Sequence, residues 1–213
     1  MEKKHLVLAS GSPRRKELLS QLGYEFSVLV TDVEECKHAQ ETAEEYVKRL
    51  SLDKALAALS LLATNPSEKQ HVASGSDTVV VGSDAISLDS ETVVLGSDTV
   101  VVSQGQVLEK PADFSDSKRM LTQLADGRHQ VMTAVSVVSE EKQKTEIVIT
   151  DVWFKPLSEK EIEQYWQTGE PCDKAGSYGI QGLGGRFVTR IEGSYYAVVG
   201  LPLFETDQLL QEF

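Results

Sequence analysis

Cysteine is scarce in this chain: its 213 residues include two, Cys36 and Cys172, and neither belongs to a CxxC pair. A disulfide framework and a cysteine-based zinc site are thereby excluded, which leaves two reduced thiols. Long hydrophobic runs are missing as well. No apolar stretch approaches the roughly 18 residues of a membrane span, and the one in MEKKHLVLAS is too short for a signal peptide. The expectation is a cytoplasmic protein that engages no membrane. Linkers rich in Pro, Gly or Ser are absent, as is any charge run long enough to divide the chain, so one domain over residues 1–213 is the economical arrangement. Positive charge is the last shortage. Against 33 Asp and Glu stand 21 Lys and Arg, a net charge of −12, whereas nucleic acid is met by a basic face that releases condensed counterions. General nucleic-acid binding is excluded, and the charge of any anionic ligand must be met by a few local cations or by a divalent metal.

What is present reads as strands alternating with helices. A composition 40% apolar and 25% charged supports a substantial core. HLVLAS (5–10) is a short buried strand, YEFSVLVT (24–31) a second, and between them PRRKELL opens a helix with Ser12 as cap, Pro13 in its first position and Gly23 as its stop. TAEEYVKRLSLDKALAAL (42–59) carries a capping box, Thr42 with Glu45, ahead of an apolar stripe. DSKRMLTQLADG (116–127) reads as a helix with an Asp cap and a terminal glycine. QVMTAVSVVS and TEIVITDVWFKPL pair around a polar turn at 140–144, SEKEIEQYWQTG (158–169) is another capped helix, and GLPLFETDQLLQEF ends the chain in a short one. The class is mixed α/β. GSDTVVV occurs at 75–81 and again at 96–102, with a further GSD at 82–84. A repeat this short is no solenoid, and an insertion near 75–95 explains it.

The start of the first helix poses an electrostatic question. Free N–H groups and the macrodipole make a helix N-terminus positive already, yet Arg14 and Arg15 add two more charges there. Ser10, Gly11 and Ser12 with paired guanidiniums form a compact phosphate cradle, although it is not a Walker A loop; the plain alternative is that the arginines face water or pair with Glu17. Carboxylates supply the other half of a site: Asp32, Glu34 and Glu35 follow the second strand. Asp98 sits among valines, where an acid is costly unless paired or bound to a cation, with turn capping as its alternative role. Three GSD aspartates, Asp77, Asp84 and Asp98, compete for that position. Lys110 ends GQVLEKP as a second phosphate ligand or a surface lysine. Five glycines between Gly176 and Gly185 suit a loop closing on a ligand or an irregular connection.

ASGSPRRKELL, GSDTVVVSQGQVLEKP and DKAGSYGIQGLGG, in this order and over almost the whole chain, resemble the Maf family of nucleoside triphosphate pyrophosphatases, and within it the branch acting on dTTP and UTP. The resemblance implies an elongated, bent mixed sheet flanked by helices around a central cleft, like that of inosine triphosphate pyrophosphatase, and a homodimer. It implies that Ser10, Arg14, Arg15, Lys54 and Lys110 hold the phosphates. Asp98 and Glu35 then activate water and bind Mg²⁺ or Mn²⁺, while Thr99 and Gln181, with Arg14, read a pyrimidine. In the family pattern the G-[AS]-D-T aspartate precedes the G-x-V-L-E-K-P turn by a short hairpin, a relation that Asp98 has and Asp77 lacks; the 75–95 insertion departs from that pattern. Two other classes fit the residues: a phosphosugar or nucleotide-monophosphate hydrolase, and a nucleotide-binding regulator, for example of cell division, without turnover.

Overall fold

An unbroken apolar strand requires cover on both faces, and β1 (His5–Ala9) lies inside the sheet, parallel to β2 (Phe26–Val28) on one side and to β3 (Thr92–Ser103) on the other. The computed structural model describes residues 5–64 and 92–213. Its seven-stranded sheet runs β2-β1-β3-β5-β6-β7, with β5 (Arg128–Val138), β6 (Gln143–Phe154) and β7 (Val188–Glu192) all antiparallel, and β4 (Gln106–Leu108) folds back on β3. The helices are α1 (Pro13–Gln21), α2 (Ala43–Thr64), α3 (Phe114–Leu124), α4 (Glu159–Trp166), α5 (Tyr195–Val199) and α6 (Leu203–Gln211). The fold is the expected mixed α/β sheet flanked by helices.

Helix α2 docks on β3 at almost no distance. A Cβ on Gly96 would lie 2.2 Å from the Ser51 carbonyl oxygen, and Ser51 shares a buried hydrogen bond of 2.7 Å with Ser136 of β5. This contact fixes which α2 residues stand over the next same-face position of β3, Asp98.

Several boundaries differ from the sequence reading. β2 stops at Val28, and after Leu29 N–H donates to the Leu8 carbonyl the chain has no more of β1 to follow. α3 starts earlier than expected: Asp113 is its cap, accepting from Asp116 N–H, while Asp116 accepts in return from Ala112 N–H. Its end is Ala125, not Gly127. α5 is too short for periodicity to reveal. The first GSDTVVV copy with Asp77, and the GSD at 82–84 with Asp84, lie outside the described residues. Of the 75–95 stretch, 92–95 belong to β3.

Candidate active site

One edge of β3 changes partner part-way along. Pairing with β1 ends at Ala9 opposite Gly96, and pairing with β4 begins at Val101 opposite Leu108, so residues 97–100 have neither strand beside them on that edge. A cleft of about 770 Å³ opens there. Parallel strands present ligand sites beyond their carboxyl ends, and here the end of β1 feeds directly into the Ser10–Ser12 loop and α1.

Arg15 resolves the crowded helix start by folding back across the sheet edge. Its Nε donates to the Gly200 carbonyl at 2.9 Å, Nη2 to Thr99 Oγ1 at 3.2 Å and Nη1 to Ser10 Oγ at 3.4 Å. Burial lowers its pKa, against the attraction of Asp98. Ser12 caps α1 through Arg15 N–H, and its own N–H donates to Ser10 Oγ. Thr133 donates to the Ala197 carbonyl at 2.6 Å, so the 3.0 Å bond between the two threonines uses the proton of Thr99. Thr99 therefore accepts from Arg15 and meets any ligand as an acceptor.

On the opposite face of β3, Asp98 is only 7% exposed. Lys54 of α2 donates to its Oδ1 at 2.7 Å and lies 2.6 Å from Glu35 Oε1, while Lys110, just past β4, stands 3.8 Å from Glu35 Oε2. Burial raises the Glu35 pKa, but the hydrogen bond and charge of Lys54, aided by Lys110 and Arg15, outweigh it and hold the carboxyl below its ordinary range. The loop carrying Glu35 is pinned from α2: the Tyr46 hydroxyl reaches the Glu35 carbonyl at 2.9 Å and Glu109 Oε1 at 3.0 Å, and Arg49 binds the Cys36 carbonyl and Glu41. Burial and then Glu109 push the Tyr46 phenol up.

The glycine-rich segment forms the facing wall. Gly179, Gln181 and Gly182 line the cleft together with Glu170, Asp173 and Lys174. The segment is anchored from three directions: Ser117 bonds Ser177 at 2.6 Å, His129 bonds the Tyr178 hydroxyl at 2.8 Å, and Glu170 accepts from backbone N–H groups of the loop.

The family model of the Maf-like protein matches residues 5–213. The chain belongs to the Maf family. It is 64% identical over 208 residues to a protein of Vibrio parahaemolyticus named dTTP/UTP pyrophosphatase, covering 98% of this chain and 96% of that one. It is 59% identical to one of the same name from Vibrio cholerae, with 98% and 97% covered. Among solved structures, the Ham1 protein of Staphylococcus aureus aligns over 71% of this chain and 72% of its own at 14% identity and a TM-score of 0.44, too low to bear on either fold or function.

In this Maf chain the nine residues to which the resemblance gives roles, Ser10, Arg14, Arg15, Glu35, Lys54, Asp98, Thr99, Lys110 and Gln181, line the same cleft, whereas Asp32 and Glu34, offered beside Glu35, are not among its lining residues. Asp98 lies mid-strand opposite Ala134, so it caps no turn. Thr99 accepts from Arg15, and Arg14, named with Thr99 and Gln181 for the base, lines the same cleft. Sequence reasoning missed Tyr46, Glu170 and the Gly200 carbonyl. Tyr46 reads as an ordinary stripe residue, a carbonyl leaves no trace in a sequence, and the one hint at Glu170 was an acid just after the Gly169 helix stop. Among the described residues no three His, Cys, Asp or Glu side chains gather closely enough to hold a metal by themselves. Glu35 and Asp98 do converge on one cation-sized point, the position of Lys54 Nζ.

Proposed function

We propose that the chain hydrolyses nucleoside triphosphates, dTTP and UTP above others, to the monophosphate and pyrophosphate. The observation carrying this reading is that Asp98, a buried acid, shares the strand gap with the cationic start of α1. A buried carboxylate beside phosphate-binding cations serves chemistry better than simple binding. The names of the Vibrio relatives support the substrate class.

Ser10, Arg14, Arg15, Lys54 and Lys110 hold the triphosphate. Asp98, with Glu35 beside it, orients a water and takes its proton; a carboxylate has acceptor capacity left after the bond from Lys54. The water oxygen attacks the α-phosphorus in line, the bond from that phosphorus to the α–β bridging oxygen breaks, and pyrophosphate leaves with the electron pair. The guanidiniums and lysines offset the charge that develops on it. Glu35 and Asp98, two hard oxygen donors converging on one point, would hold Mg²⁺ or Mn²⁺, which would neutralise phosphate charge. Thr99 accepts from the N3–H of uracil or thymine, and Gln181 supplies a donor and an acceptor to the same edge. A base that leaves these groups unpaired is penalised.

We further take the enzyme to act as a homodimer, on the family resemblance, and as one cytoplasmic domain, on the sequence reading; among the described residues no helix is long and apolar enough to cross a membrane. Products released from a panel of triphosphates with Mg²⁺ or Mn²⁺ test the reading. Pyrophosphate from dTTP and UTP is expected. Release of inorganic phosphate, or equal rates with GTP and dTTP, overturns it.

A further inference from the structure

Gln181 stands in the middle of a loop that is held at both ends by one pair of side chains outside it. At the near end, Gly179 N–H donates to the Tyr165 hydroxyl at 3.1 Å. At the far end, Leu183 N–H donates to Glu170 Oε2 at 2.8 Å and Gly184 N–H to Oε1 at 2.9 Å. Tyr165 joins the two fixtures by donating to Glu170 Oε1 at 2.7 Å, and it is itself fully buried, edge-on against Phe187. Burial raises the Glu170 pKa, but these donors outweigh it and hold the carboxyl below its ordinary range.

Two glycines of GIQGLGG, Gly182 and Gly184, follow from this clamp. A Cβ on Gly182 would sit 2.3 Å from Glu170 Oε2, and one on Gly184 would sit 2.6 Å from the Tyr165 hydroxyl oxygen. Between the two fixtures the loop carries Gln181, which lines the cleft.

We infer that Glu170, fixed by Tyr165, is a positioning residue for base selection: it sets the height and direction of Gln181 over the pyrimidine edge. The inference rests on the proposed contact between Gln181 and the base. A carboxylate accepts from a hydroxyl and two N–H groups together; a Gln in its place brings an NH₂ against one of those N–H groups and frees that end of the loop.

The test compares Glu170→Gln, Gln181→Ala and the double variant on UTP and GTP. Gln181→Ala is expected to reduce the UTP-over-GTP ratio of kcat/KM about tenfold. Glu170→Gln is expected to reduce it about fivefold, through the KM for UTP more than through kcat, and the double variant to fall no further than Gln181→Ala, because the two act through one contact. Amide hydrogen exchange at 183–184 is expected to quicken in Glu170→Gln while the strands stay protected. Tyr165→Phe, which removes one hydroxyl and keeps the ring, gives a smaller loss of about twofold and serves should Glu170→Gln fold poorly. Additive losses, or unchanged selectivity in both Glu170→Gln and Tyr165→Phe, overturn the inference. Unchanged selectivity in Gln181→Ala overturns the base contact itself, and the inference with it.

Discussion

Lys54 donates to Asp98 across 2.7 Å, and the same ammonium stands 2.6 Å from Glu35. Two carboxylates that would repel one another are thus held together by a cation of the chain itself. Replacing Asp98 with Asn keeps the shape and a hydrogen bond but removes the group that takes the proton. Asp98→Asn is expected to lower kcat by about 10²- to 10⁴-fold while the Kd for nucleotide stays within a few-fold. Steady-state release of pyrophosphate and equilibrium titration with a non-hydrolysable triphosphate check both halves.

Chelation is expected to separate activity from stability. With Lys54 already neutralising Glu35 and Asp98, the protein needs no divalent cation to tolerate its paired acids. EDTA should therefore abolish pyrophosphate release yet move Tm by no more than about 2 °C, the effect of about 0.5–1 kcal/mol at this size. A large drop in Tm would make the cation structural.

The sequence revealed chemistry more readily than it revealed placement. Arg14, Arg15, Asp98 and Lys110 were legible because each is expensive or unusual where it stands: cations at a positive helix end, an acid among valines, a lysine closing a hairpin. That they share one cleft depends on β1 ending opposite Gly96 and β4 beginning opposite Val101, and strand register across non-adjacent elements has no local signal. The Asp113 cap was hidden because Asp116, three residues on, offers the same chemistry. Tyr165 has no local signal in the sequence, and it is its hydroxyl, bound to Gly179 and Glu170, that ties it to the loop lining the cleft.

The direction of one proton bears on base choice. Thr133 spends its own proton on the Ala197 carbonyl and so takes that of Thr99. Thr133→Val removes this acceptor and leaves Thr99 free to donate to a ring nitrogen that carries no proton, as in cytosine. The UTP-over-CTP ratio of kcat/KM is expected to fall about three- to tenfold, the scale of one hydrogen bond. An unchanged ratio with retained fold would show that Thr99 does not meet the base.

Gly96 is the point at which a side chain cannot be accommodated. Its Cβ would meet the Ser51 carbonyl oxygen at 2.2 Å and Ala55 N at 2.9 Å, both backbone atoms that cannot swing aside. Gly96→Ala must push α2 off β3, at a cost of about 1–3 kcal/mol or more, or about 2–12 °C in Tm. Because α2 also carries Lys54 over Asp98, kcat is expected to fall with it. Thermal melts and turnover of the same preparation check this, and a stable, fully active Gly96→Ala would show that the register of helix and strand is not what places the lysine.

Acid sensitivity should trace to His129. The ring is 2% exposed, packs edge-on against Phe154 and Tyr178, and bonds the Tyr178 hydroxyl. Burial lowers its pKa to about 4, against the opposing charge of Asp151. An unfolded histidine titrates near about 6.5, so between these values the unfolded chain binds more protons than the folded one, and stability rises with pH across that window. The contribution is complete above about pH 6.5 and lost on the way down to about 4, roughly 3 kcal/mol in all. Glu41, held at about 2 by Arg49, adds its own loss from the ordinary Glu value of about 4.3 downward, so its effect follows that of the histidine. Urea melts at pH 7, 5.5 and 4.5 should show the midpoint falling, and His129→Phe should flatten that slope even though it starts from lower stability, since Tyr178 loses its partner. Tyr178 lines the cleft, so turnover is expected to decline in the same window before the protein as a whole unfolds. A slope that persists in His129→Phe would assign the acid loss to another group.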